Sequence, residues 1–288
     1  MGGDGVMGDP RALAAVRAAL AEDIGDGDAT TRALVDPRIE ATAALLTREP
    51  CRVAGVSVGQ AAFLCVDEEL RVETLLPDGH AAAAGEALMT VRGRAASILT
   101  AERTALNFMQ RLCGIATLTA RFAEAVKPYG TLILDTRKTT PNLRQFEKYA
   151  VTCGGGVNHR FGLYDRVLIK DNHRRLWQGH DPDRLDLAVA AARKAYPALA
   201  VEVEVESVAE CVSALRGRPE WIMLDNMDCG RMRECVALCR GKAKTEASGG
   251  ITLDRAREVA ATGVDAISLG CLTHSAPSVD LSLEWSRV

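Results

Sequence analysis

Val201-Glu202-Val203-Glu204-Val205-Glu206-Ser207 alternates valine with glutamate. Strict alternation with β-branched residues predicts a strand, whose successive side chains point to opposite faces. The three glutamates then share one side. A strand covered on both faces tolerates that cheaply only where the glutamate side lines a polar cavity, because buried carboxylates need partners.

Five further short apolar runs accompany this one: residues 131–135, 166–169, 221–224, 243–247 and 266–269, with helical stretches between them. Runs apolar on both sides suit strands covered on both faces, as in parallel sheets. Alternation of strands and helices over this length predicts a βα barrel or a doubly wound sheet. N-terminal to these runs lies a strong helical pattern from Ser97, where Ile98, Ala105, Leu106, Met109 and Leu112 share a face. Arg103, Asn107 and Arg111, spaced by four, form a separate polar stripe, which by itself reads as a solvated face. The first third opens with a helix over 12–21 and reads as strands at 41–47, 71–75 and 87–91, punctuated by Pro77-Asp78-Gly79 and Gly85. It predicts a small mixed α/β domain.

Composition narrows the function classes. With 35 Lys and Arg against 38 Asp and Glu, there is no basic excess to bind nucleic acid. No apolar run approaches the ~20 residues of a membrane helix, and residues 1–10 carry no signal-like apolar stretch. Nine cysteines without CxxC pairs read as reduced thiols, which predicts a cytoplasmic location. A soluble protein without membrane or nucleic-acid partners is expected.

Polar residues cluster where the runs end. The clusters are Asp135-Thr136-Arg137-Lys138, Lys170-Asp171-Asn172-His173, Asp225-Asn226, Ser248-Gly249-Gly250 and Gly270-Cys271-Leu272-Thr273-His274. In a parallel barrel all strand C-termini emerge at one face, where active sites form. Arg137, Lys138, Arg160 and Lys170, with His159 beside them, would repel one another there unless an anion were bound. Arginine suits planar carboxylates, and lysine supplies a point charge for phosphate. Glu204 and Asp225, at neighbouring strand ends, are placed to hold Mg2+ against a diphosphate or to bond sugar hydroxyls. Ser248-Gly249-Gly250 before a new helix, with Gly270 ending the following strand, predicts a phosphate cradle. The stretch Gly154-Gly155-Gly156 fits neither dinucleotide nor P-loop spacing and reads as a loop bringing in His159 and Arg160.

At these residues the chain resembles the nicotinate-nucleotide pyrophosphorylase (carboxylating), or quinolinate phosphoribosyltransferase, family. The resemblance rests on Glu102-Arg103-Thr104-Ala105-Leu106-Asn107, Thr136-Arg137-Lys138-Thr139-Thr140-Pro141, Asn158-His159-Arg160 and Lys170-Asp171-Asn172-His173. It continues through Glu202-Val203-Glu204-Val205, Leu224-Asp225-Asn226, Glu246-Ala247-Ser248-Gly249-Gly250-Ile251-Thr252 and Gly270-Cys271-Leu272-Thr273, in family order over residues 20–285. One departure is the opening Gly27-Asp28-Ala29-Thr30, which lacks a proline expected nearby.

The resemblance implies an open α/β barrel of parallel strands over 113–274. An N-terminal α/β sandwich covers 1–112, and 275–288 returns to it. It implies a homodimer, or a larger assembly of dimers, in which Arg103 reaches the partner's pocket. Arg137, Arg160 and Lys170 with His159 would bind the two quinolinate carboxylates, with Thr136 on the same loop, and His159 either touches substrate or braces Arg160. Lys138 would meet the diphosphate, and Glu204 and Asp225 would hold the ribose hydroxyls and Mg2+. Ser248, Gly249, Gly250, Leu269, Gly270 and Cys271 would cradle the 5-phosphate, with His274 as a further diphosphate contact. The implied reaction joins quinolinate to 5-phosphoribosyl 1-diphosphate, giving nicotinate mononucleotide, carbon dioxide and diphosphate on the de novo route to NAD. Three rivals stand beside it: a Schiff-base aldolase or lyase using Lys170, a non-catalytic binding relative, and a relative that takes nicotinate.

Overall fold

The computed structural model describes residues 5–178 and 180–286. In chain order the first elements are α1 (Pro10–Ile24), α2 (Ala29–Leu34), β1 (Glu40–Thr47), β2 (Cys51–Arg52), α3 (Val56–Val66), β3 (Arg71–Thr74), β4 (Ala81–Ala82), β5 (Ala87–Arg94) and α4 (Ala95–Val126). There follow β6 (Leu132–Leu134), α5 (Arg144–Cys153), β7 (Val167–Ile169), α6 (Asp171–Leu176), α7 (Leu185–Ala195), β8 (Val201–Val205), α8 (Val208–Arg216) and β9 (Trp221–Asp225). The chain ends with α9 (Cys229–Cys239), β10 (Lys244–Ser248), α10 (Leu253–Ala260), β11 (Ala266–Ser268), α11 (Cys271–His274) and β12 (Leu281–Trp285).

Two compact units result. The first takes the described residues up to Ala120, Thr139–Gly155 and the chain from Cys271 onward. Its antiparallel sheet runs β12-β1-β5-β3, with Leu45 opposite both Leu283 and Met89. Asp9 and Asp28 cap α1 and α2, each accepting an otherwise orphaned backbone N–H. On α4 the apolar face Ile98, Ala105, Leu106, Met109 and Leu112 is no more than 2% exposed. The polar stripe divides. Arg103 and Asn107 are exposed, whereas Arg111 donates to the Glu147 carboxylate and to the carbonyls of Thr273 and Ala276. Arg111 is thus a structural tie.

The second unit, Arg121–Lys138 and Gly156–Gly270, holds a six-stranded parallel sheet in the order β6-β11-β10-β9-β8-β7. β6 comes first in the chain yet pairs the last strand, β11, so the sheet curls round on itself. On the other side of β6, Val157 makes a parallel bridge to Leu134. The ring stays open between that segment and β7, and the Arg160 guanidinium reaches across to the Arg166 carbonyl at 3.2 Å. This is an open α/β barrel.

The register explains the valine–glutamate alternation. Val201, Val203 and Val205, with Ile222, Leu224, Ala247 and Ile267 on neighbouring strands, are all 0% exposed. They form the outer face, and each valine, leucine or isoleucine among them contributes about 1.5–3 kcal/mol by leaving water. Glu204, Met223 and Glu246 align in one row across β8, β9 and β10, and point the other way. Glu206 falls outside the alternation. β8 ends at Val205, and Glu206 is exposed, because Ser207 caps α8 and turns the chain.

Candidate active site

Every strand of the barrel unit runs the same way, so residues following each strand gather at one rim. β6 delivers Thr136, Arg137 and Lys138, and the Thr136 hydroxyl accepts the Lys138 N–H at 3.0 Å to tighten the turn. Arg137 is half-buried and Lys138 exposed. The segment beside β6 delivers His159 and Arg160. Burial, then the nearby Arg137 charge, hold the Arg160 guanidinium below its ordinary proton affinity. That shift places two cations within electrostatic reach of each other, the condition expected of an anion site.

β7 ends at Lys170, whose Nζ is ion-paired with Glu204 on the adjacent strand. The pair follows from register, since Ile169 lies opposite Val203 and Lys170 therefore faces Glu204. On β9, Asp225 lies opposite Ser248 of β10 and two residues beyond Met223, the partner of Glu204. Asp225 and Glu204 thus face the same side, one step apart. Asp225 accepts from the Asn226 side-chain amide at 2.7 Å.

The Ser248-Gly249-Gly250 turn has a steric reason for its glycines. Gly249 has φ +100° and Gly250 φ +56°, and a Cβ at Gly249 would lie 2.1 Å from Asn226 Oδ1. Asn226 itself has φ 53° and donates its N–H to the Ser248 carbonyl at 3.0 Å. A chain kept this close to Asn226 presents backbone, not side chain, at the rim. Leu269 follows β11, its N–H bonded to the Leu134 carbonyl at 2.9 Å, and Gly270 closes this unit.

His159 faces inward. Its ring is 6% exposed, and Nε2 lies 3.0 Å from Glu202 and 3.4 Å from Glu246, both fully buried. Glu202 also receives Arg166 at 3.2 Å. These inward glutamates, Glu246 above all, carried no signal as a partner of His159, because strand alternation identifies a face and not what lies across it.

Three expected residues belong to the first unit. Arg103 is exposed on α4, Cys271 opens α11, and His274 ends it, exposed, with Nδ1 2.6 Å from the Ser275 hydroxyl.

Oxygen donors suit magnesium. Among the described residues, the one group of three or more metal-ligand side chains is His159, Glu202 and Glu246. Glu204 and Asp225 contribute only two carboxylates, and Glu204 is shared with Lys170. They fit a magnesium ion only as partial ligands, the remainder coming from phosphate oxygens and water.

A family model described as Quinolinate phosphoribosyl transferase, C-terminal domain, matches residues 115–284, and one described as the N-terminal domain of the same enzyme matches 28–113. The nicotinate-nucleotide pyrophosphorylase (carboxylating) of Mycobacterium leprae (strain TN) is 42% identical over 278 residues, covering 93% of this chain and 95% of that protein. A chloroplastic relative of the same name from Oryza sativa subsp. japonica is 40% identical over 287 residues, covering 94% of this chain and 76% of that protein. The solved nicotinate-nucleotide pyrophosphorylase from Francisella tularensis superposes with a TM-score of 0.90 at 38% identity, covering 96% of each chain. Human nicotinic acid phosphoribosyltransferase, 14% identical with a TM-score of 0.61, shares the fold.

Proposed function

This chain belongs to the quinolinate phosphoribosyltransferase family, and on that premise we propose that it transfers phosphoribosyl from 5-phosphoribosyl 1-diphosphate to quinolinate with loss of carbon dioxide. The product is nicotinate mononucleotide, on the de novo route to NAD. The observation that carries the reading is the rim of the barrel unit: Arg137 beside Arg160, and Lys170 paired to Glu204 with Asp225 one step along. Such a rim matches an acid with two carboxylates beside a sugar diphosphate.

In the proposed reaction, Arg137 and Arg160 clamp the carboxylates and aim the ring nitrogen at ribose C1. The nitrogen already holds a lone pair, so no general base is needed. As the N–C1 bond forms, the C1–O bond to diphosphate breaks, and Lys138 meets the departing charge. Asp225 and Glu204 orient the ribose hydroxyls. Magnesium, when held by these two carboxylates and the donor's own phosphates, would neutralise the leaving diphosphate. The ring nitrogen is now cationic. It stabilises the electron pair left on the adjacent carbon when that carboxylate departs as carbon dioxide, and a proton then takes the vacated position. Backbone amides of Ser248, Gly249 and Gly250, with Leu269 to Cys271, cradle the 5-phosphate. His274 is a further diphosphate contact.

The proposed enzyme is a homodimer in which exposed Arg103 completes the partner's site. A cytoplasmic location is supported by nine free cysteines. No helix of the described residues is long and apolar enough to cross a membrane.

The test is release of carbon dioxide from quinolinate with the diphosphate donor and Mg2+, with nicotinate as the alternative acceptor. Turnover with quinolinate is expected. Nicotinate turnover alone, or full activity in Arg137→Ala, defeats the assignment. Lys170 is engaged by Glu204, so borohydride should trap no Schiff base with a sugar phosphate.

A further inference from the structure

Inside the barrel unit, beneath the rim, lies a cluster that the reaction above does not use. Glu202 of β8 and Glu246 of β10, on either side of β9, converge on His159 Nε2 at 3.0 and 3.4 Å. All three side chains are at least nine-tenths buried. Two buried carboxylates thus meet one ring nitrogen, and Arg166 pairs with Glu202.

Geometry sets which partner each ring nitrogen meets. The Arg160 backbone N–H donates into His159 Nδ1 at 2.7 Å, so the ring carries its hydrogen on Nε2. Burial opposes a second proton on the ring; the two carboxylates more than offset burial and raise its proton affinity to about 9. The amide directed at Nδ1 works against that proton.

We propose that Glu246 is a positioning residue: with Glu202 it fixes the His159 ring, which accepts the Arg160 amide and so holds the backbone from which Arg160 serves the acid substrate. This rests on the reading of Arg160 as a carboxylate ligand given above. His159 is tied from its own backbone as well, its N–H donating to Asp135 at 2.9 Å. The same three side chains have the donors of a transition-metal site. The Arg166 cation, 3.2 Å from Glu202, opposes a dication there.

Glu246→Leu keeps volume and removes polarity, and Glu246→Gln keeps a neutral hydrogen-bonding group. In full-length enzyme, Glu246→Leu should raise the KM for quinolinate roughly tenfold, the low end of the cost of removing a buried polar contact. The KM for the diphosphate donor should stay unchanged, and Glu246→Gln should restore most of the loss. Ring 15N resonances of His159 should show hydrogen on Nε2 in wild type and should move in Glu246→Leu. If Glu246→Leu does not fold, Glu246→Asp, which withdraws the carboxyl from the ring, should show the same selective rise. An unaltered KM for quinolinate, equal losses for both substrates, ring resonances that do not move in the variant, or a stoichiometric bound metal lost in the variant would overturn the inference. Wild-type enzyme that neither binds nor turns over quinolinate overturns the functional reading and this role with it. That failure is told apart because it appears before any substitution.

Discussion

Arg160 and Arg137 carry their charges close together at the barrel rim, where burial first and then the Arg137 charge lower the proton affinity of Arg160. A dianionic ring acid relieves their repulsion, so quinolinate alone should raise the melting temperature of wild type and raise it less in Arg160→Ala. Lysine should not replace arginine here, because one ammonium cannot form the bidentate pair. Arg137→Lys should lose about a hundredfold in kcat/KM with quinolinate, the cost of a small misplacement at a reacting centre. Away from the rim, Asp67 is 7% exposed and accepts from Arg94 and Ser97. The Arg94 bonds, then that of Ser97, outweigh burial and hold its carboxyl well below the carboxylate range. A lowered folded value gives stability that is present above the unfolded value, ~3.9, and lost as pH falls below it. Asp67→Asn should therefore cost about 2 kcal/mol at neutral pH. Denaturant melts should show the difference from wild type narrowing as pH falls below the unfolded value.

Elements place these residues by simple repeat rules. β8 sends valines to its helix-covered side and glutamates to the interior, so Glu202 and Glu204 are separated along the strand into two tasks. One holds His159 in the interior, and the other pairs Lys170 at the rim. The turn after β10 works differently, since its requirement is an absent side chain. Gly249→Ala combines positive φ with a clash against Asn226, a cost of about 1–3 kcal/mol. It should raise the KM for the phosphorylated donor while leaving that for quinolinate near wild type, a contrast that steady-state kinetics will read directly. Equal changes in both would assign the turn to general stability.

At the scale of the molecule, the barrel unit depends on its first strand pairing with its last. Residues far apart in sequence reach one rim only because that sheet curls. The proposed homodimer adds a second requirement, that Arg103 of one copy complete the rim of another. Arg103→Ala and Lys170→Ala subunits should each be inactive alone. Mixed and allowed to exchange, they should regain activity, because one of the two sites in a heterodimer then has neither lesion. No recovery on mixing, with exchange verified by mass, would place Arg103 in its own subunit's site.

Much was legible in the chain itself. Alternation marked β8, helical spacing marked the face of α4, and the short apolar runs marked the parallel strands, because these are local consequences of backbone geometry. Pairings across space were not legible. Arg111 shares the stripe of Arg103, yet it ties Glu147 and two distant carbonyls. His159 sits among rim residues in sequence, yet its ring faces two glutamates from strands that are not neighbours. Periodicity reports which way a side chain points, and only the closing of the sheet decides what it meets there.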